Sequence, residues 1–389
     1  MELSDHTSIQ LILFLILYGI TGVVPLIAAV YLLLRRSNAI APDVTPPVRL
    51  RRWAASFFVV STLAHVWWLL FYIYSGDFHS VACLVIAMLD CVLLFTSFAG
   101  TLLAMLQDCR RSVWPALVLV IPFVVLGGAI MVYPSSLLEL VTAAYIILLY
   151  VLFTAYMVVA IRQYGRWLND NYADLENKKV WLSQAVALVC MLLLVLYVLA
   201  TDWVLIWIVH IIELVLVGLL LWRVETLPQL ENSPMESAFS APTTESSQEI
   251  NLPHAIEGTQ KPNIPKRARQ PLTIPSSLIQ RLLDERCVAT QLYMQHDLTL
   301  QQLATAVGIN RYYLSHFFSE NNTTYNAYIN DLRINHFVCL YREAVALQRP
   351  ITAQQLAYDS GYHSYSTFSL AFKQRTGQNV TNWIRQMTD

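Results

Sequence analysis

"LILFLILYGITGVVPLIAAVYLLL" (residues 11–34) contains no charged side chain. A bilayer core about 30 Å thick is crossed by roughly 20 predominantly apolar residues in a helix, so this run predicts a membrane span at 9–34. Gly19, Gly22 and Pro25 within it predict a kink or close packing, which spanning helices tolerate. Working outward, six further stretches have the same character: 53–74, 79–106, 113–133, 136–161, 180–200 and 202–222. The expected fold is all-α, with residues 1–8 leading into a seven-span bundle over 9–223. Composition agrees. The chain is 56% hydrophobic and only 13% charged, with mean hydropathy +0.49, whereas ordinary globular chains are about 25% charged.

Orientation follows from the Lys and Arg residues, which gather in cytoplasmic loops. Arg35, Arg36, Arg49, Arg51 and Arg52 follow the first span, and Arg110 and Arg111 follow the third. Arg162, Arg166, Lys178 and Lys179 follow the fifth, and Arg223 follows the seventh. The loops near Asp77, Pro134 and Asp202 have none. The N-terminus is therefore expected outside and the C-terminus in the cytoplasm. Glu2, Asp5 and the length of the first apolar run do not fit an ordinary signal peptide.

Some polar groups fall inside the expected spans: His65, Asp90, Glu139, His210 and Glu213. Such groups face a bundle interior or a wet cavity. They serve either as interhelical glue or as a sensing pocket for an unknown small ligand or proton. His65, Asp90, His210 and Glu213 are the candidate sensing residues. His210 and Glu213, three apart, are expected to share a helix face and to be able to bond to each other. Glu139 lies near the outer edge, where water reaches it.

No HExxH, GxSxG or phosphate-binding glycine loop occurs, so an enzyme is not expected. The six cysteines are scattered singly without CxxC spacing. They read as unpaired small hydrophobes, and no metal or cofactor is expected.

Residues 224–271 shift to Pro, Ser, Thr, Glu and Gln and hold six Glu before the first Lys at 261. Such a segment cannot bury enough apolar surface to order itself, so a flexible linker is expected there. The "KRAR" run at 266–269 suits anionic lipid, DNA phosphate or plain solvation equally.

The remainder, 272–389, reads as soluble and helical. "IPSSLIQRLLDERC" opens with an expected serine cap and places apolar residues 278, 279, 282 and 283 on one face. In "LTLQQLATAVGINRYYLSHFF" (298–318), Ala304, Gly308 and Leu314 have the offsets of a helix-turn-helix. The small residue lets two helices cross closely, the glycine turns the chain, and the leucine seats the second helix. Asn310 is the expected cap of that second helix, with Arg311, Tyr312, Ser315 and His316 on its open side. The pattern recurs at 351–377, with Leu356, Ala357, Gly361 and Phe368 in the corresponding places. A long helix joins the units, turning Tyr325, Tyr328, Ile329, Leu332 and Leu340 inward.

Two helix-turn-helix units at about 298–319 and 351–375, joined through "YINDLRI" and closed by "AFKQRTG…NWI", resemble the DNA-binding module of the AraC/XylS family of bacterial transcription regulators. The resemblance covers about 276–387. It implies two recognition helices in successive major grooves of double-stranded DNA, and RNA polymerase as a partner. It further implies that Tyr312, Ser315 and His316, then Tyr365, Ser366 and Ser369, face the bases, while Arg311, Lys373 and Arg375 meet phosphate. Leu370 and Asn379-Val380 depart from the family pattern, which shifts the second unit toward reading shape and phosphate.

Residues 261–389 carry 13 Lys plus Arg against 8 Asp plus Glu, a modest excess for a DNA binder. A homodimer, or confinement at the membrane lipid, would compensate. The expected function is a membrane-anchored one-component transcription regulator. The alternatives are a transporter or membrane enzyme carrying a regulatory DNA-binding domain, and a regulator merely tethered by its spans.

Overall fold

The computed structural model describes residues 8–35, 38–42, 44–75, 80–175, 178–199, 203–230, 274–350 and 352–388. Among them every extended element is a helix, and the one β feature is an isolated bridge, Tyr172 to Thr299. The chain divides into two compact units, Met1–Leu168 with Leu175–Ser233, and Asn169–Asp174 with Pro234–Asp389.

The first unit contains α1 (Ser8–Leu34), α2 (Val48–Tyr74), α3 (Val81–Ala104), α4 (Trp114–Val132), most of α5 (Ser136–Asn171), α6 (Trp181–Leu199) and α7 (Trp203–Thr226). Helix α2 is central, packing on α1, α3 and α7. Its inward residues are largely small or aromatic, Ala54, Ala55, Phe57, Phe58, Ser61 and Ala64. Gly100 of α3 lies against the Trp53 ring, where any side chain would overlap it. Along α1 the small residues turn inward and the large apolar ones outward. Thr21, Ala28 and Ala29 are buried while Ile9, Ile12, Leu13, Ile16 and Ile27 point outward. Small residues let backbones approach, and large apolar ones meet lipid.

Among the described residues, six helices are long and apolar enough to cross a membrane: α1 to α5 and the Ile206–Thr226 part of α7. The expected sixth span is α6, a 19-residue apolar helix, of which the stretch Trp181–Val195 counts among the described residues as a shorter apolar helix. The expected "ATD" divide at 200–202, and the loops' Asp77 and Asp202, lie outside the described residues.

Three expected boundaries move. Helix α2 starts at Val48, so Arg49, Arg51 and Arg52 sit on its first turns, and α5 runs on to Asn171, carrying Arg162 and Arg166. The linker does not begin at 224: α7 continues to Thr226, and Val224, Leu227 and Leu230 are buried. Loop groups hold this extension. The Glu225 carboxylate accepts from the Ala39 N–H at 2.5 Å and the Ile40 N–H at 3.2 Å. Gln107 donates to Pro228 O and accepts from the Leu230 N–H, each at 2.9 Å. The rest of the expected linker, with "KRAR", lies outside the described residues.

The second unit contains α8 (Ser276–Leu283), α9 (Leu300–Val307), α10 (Arg311–Glu320), α11 (Tyr325–Ala346), α12 (Ala353–Asp359), α13 (Tyr365–Thr376) and α14 (Val380–Thr388). The expected serine cap of α8 is replaced by Pro275 at the cap position with no side-chain bond. Two apolar cores share the long α11. Ile329 belongs to the first, around Leu303, Ala304 and Leu314. Ile334 and Phe337 belong to the second, around Leu356, Ala357, Phe368 and Trp383.

Candidate DNA-reading surface and polar cluster in the bundle

In the first helix pair, Thr299 and Gln302 form a reciprocal capping box on α9, satisfying two otherwise orphaned N–H groups. Gly308 ends that helix with φ +80°, a left-handed conformation that L side chains resist. The Asn310 side chain then accepts from the Tyr312 N–H at 2.8 Å and starts α10. The second pair repeats the design: Thr352 caps α12, Gly361 turns the chain at φ +92°, and Ser364 caps α13 by accepting from the Thr367 N–H. Leu314 and Phe368, the expected seats, are both fully buried.

These cores leave one side of each second helix open. On α10, Tyr312, Ser315 and His316 are exposed, and His316 sits 3.4 Å from Glu320 one turn on. Arg311 is half-buried and its guanidinium donates to the Asn171 side chain. Burial also lowers its pKa from the ordinary value. The segment holding Asn171 belongs to this same unit: Asn326 donates to Ala173 O at 2.6 Å, and the Ala173 N–H bonds Leu298 O at 3.2 Å. On α13, Ser366 and Lys373 are exposed and Ser369 is half-buried.

Tyr365, expected to face bases, is half-buried against the second core, its ring 5.8 Å from that of Phe368. Arg375 is exposed but paired with Asp331 of α11 at 2.6 Å. Burial pushes the Asp331 carboxyl up, and Arg375 opposes the shift. Leu370 stands open on the same helix at 51% exposure, an apolar group where a polar reader of bases would bond.

A family model described as helix-turn-helix domain, of the AraC type, matches residues 303–386. The match begins inside α9 and ends inside α14, spanning both helix pairs. It covers under a quarter of the chain. DNA binding and transcription regulation follow for this domain, with double-stranded DNA as its partner. The comparisons with curated proteins and with solved structures returned no match.

Within the first unit, three of the four candidate sensing residues come together. His65 Nε2 lies 3.5 Å from a Glu213 carboxylate oxygen, and the Ser61 hydroxyl donates to the other oxygen. The His65 and His210 rings stand 5.7 Å apart at 76°. Tyr18 caps the group, donating to His65 O at 2.7 Å with its ring 5.5 Å from His210. Glu213 thus bonds across the bundle to α2, not to His210 on its own helix as expected. Each imidazole turns Nδ1 to a backbone carbonyl, His65 to Ser61 O at 2.9 Å and His210 to Ile206 O at 2.7 Å. A carbonyl only accepts, so both Nδ1 atoms carry hydrogen, leaving each Nε2 as the nitrogen free to exchange a proton. Asp90 is held separately, accepting from the Trp68 indole N–H. Ser61, Tyr18 and Trp68 were not visible as members from sequence. A hydroxyl or indole in an apolar run carries no periodicity signal.

Proposed function

We propose that this chain is a membrane-anchored, one-component transcription regulator of bacteria: its bundle senses a cue and its C-terminal domain reads duplex DNA. The observation that supports it best is the pair of capped helices, each seated on its own core with an open outer face, in a chain whose other half is apolar helix. In this reading seven spans put the N-terminus outside and residues 274–388 in the cytoplasm, with the linker beginning near 231. The basic residues fit the cytoplasmic helix ends, where Arg51 donates to Leu32 O at 2.7 Å and Arg223 to Lys179 O at 2.5 Å. No catalytic chemistry or cofactor is invoked. Membrane lipid, RNA polymerase and a second copy of the chain are the further partners.

The polar cluster is the proposed sensor. Tyr18, His65, Asp90, His210 and Glu213 each sit about seven to ten residues from the helix end without basic residues. At 1.5 Å per residue that is roughly 10–15 Å deep on the outer side. A cue acts only through its different affinity for two states of the bundle, and the output passes through dimerisation or release of the tethered domain.

The test replaces His65, His210 and Glu213 by Gln in turn and reads reporter transcription from membranes alongside DNA affinity of the detergent-solubilised chain. Transcription should shift by about 5–150-fold, the usual range of coupling between sites, while DNA affinity stays put. Unchanged transcription in all three variants would reduce the bundle to an anchor.

A further inference from the structure

The two helix-turn-helix units are joined by more than the shared helix. Arg333 of α11 is 1% exposed and lies between the two cores. Its Nε donates to Tyr293 O at 2.7 Å and its Nη2 to Gln295 O at 2.8 Å, both in the turn that precedes the first unit. The guanidinium also lies 5.4 Å from the centre of the Tyr362 ring, in the turn of the second unit. One side chain therefore grips both units.

A second contact runs beside it. His296 Nδ1 donates to Gly361 O at 3.1 Å, and the His296 and His363 rings are 6.0 Å apart. Gly361 lies so close to this turn that a Cβ would stand 2.6 Å from Met294 Cα. Residues 293–296 are thus clamped between α11 and the second turn.

A buried guanidinium is an expensive means of filling space, since its desolvation offsets much of what its bonds return. What it adds is direction. The planar fork fixes both the distance and the angle of its acceptors, as a lysine cannot. Recognition helices in neighbouring grooves must match a repeat of 34–36 Å, or 10–10.5 base pairs, so a joint of fixed angle translates directly into a required spacing.

We propose that Arg333, supported by His296, is the positioning residue that sets the spacing between the two recognition helices. The protein then accepts its two DNA boxes at a single separation. This rests on the DNA-binding reading above.

The experiment selects duplexes from random sequence with the full chain in detergent, then measures affinity with base pairs inserted between the recovered boxes. Two inserted pairs turn one groove by about 70° at this helical repeat. Wild type should recover two boxes at one spacing and lose about 100-fold on that insertion, a penalty in the range of one or two mismatches. For Arg333→Met the penalty should shrink to about fivefold or less, at the lower edge of a single mismatch. Arg333→Lys, able to reach one carbonyl, should fall between. His296→Ala, at an exposed position, should soften the penalty without unfolding, and it decides the matter if Arg333→Met does not fold.

Two boxes at unchanged spacing and penalty in the folded variants would overturn the proposal, as would a single box for wild type. Recovery of no DNA by wild type would instead sink the DNA-binding reading itself.

Discussion

Gly361→Ala should cost about 2–5 kcal/mol, from a left-handed alanine and a backbone overlap together. The overlap has no soft side to yield. The atoms met by a new Cβ are Met294 Cα, O and C at 2.6–2.9 Å, all main chain. Gly308→Ala, at φ +80°, meets only Nη1 of Arg286, the far end of a flexible side chain. That group donates to Val307 O at 2.9 Å and would lose this bond on moving aside. The first-unit change should therefore cost about 1–2 kcal/mol. Hydrogen exchange on the full chain separates the two. Gly361→Ala should speed exchange across α12 to α14 by about 30-fold or more, with less change in α9 and α10. Equal effects of the two variants would show that the turns are not differently packed.

Phe368→Ala should be as damaging, at about 3–5 kcal/mol, the cost of emptying a buried aromatic site. The ring is fully buried and central: Phe337 is 4.4 Å away by centroid, Tyr362 5.2 Å and Phe372 5.5 Å. Three rings on three segments cannot all close on the vacancy, so the cavity persists. Helix α13 loses its seat, and Ser366, Ser369 and Lys373 lose their common face with it. Chemical denaturation should show a separate early transition for the second core, while Phe368→Leu retains most of the stability. A variant as stable as wild type would mean that α11, not this ring, organises the second unit.

The sequence was most legible where one physical signal dominates. Apolar runs located the bundle helices, because lipid demands them, but they could not show where helices stop. Arg162 and Arg166 lie where α5 continues past its apolar run, and Arg49 lies where α2 starts before its own. Both helix pairs were readable because a small residue, a glycine and an apolar seat recur at similar offsets, as Ala304, Gly308 and Leu314 do in the first.

What was missed depends on cross-chain packing. Glu213 and His210 share a helix, yet helix packing, not spacing, chose His65 as the carboxylate's neighbour. Tyr365 has the hydroxyl of a base reader and the ring of a core residue, and only the nearby Phe368 decides that it is half-buried. Arg333 reads as one more surface charge in "INDLRIN" until its two carbonyl acceptors, some forty residues earlier, are known.

The proposed function requires that the DNA-binding domain and the chromosome share a compartment. Cys339, exposed on α11, reports this directly. In a variant keeping this cysteine alone, a membrane-impermeant maleimide should label inside-out vesicles and leave intact spheroplasts unlabelled. Labelling of intact spheroplasts would place the domain on the outer face and contradict a role in gene control.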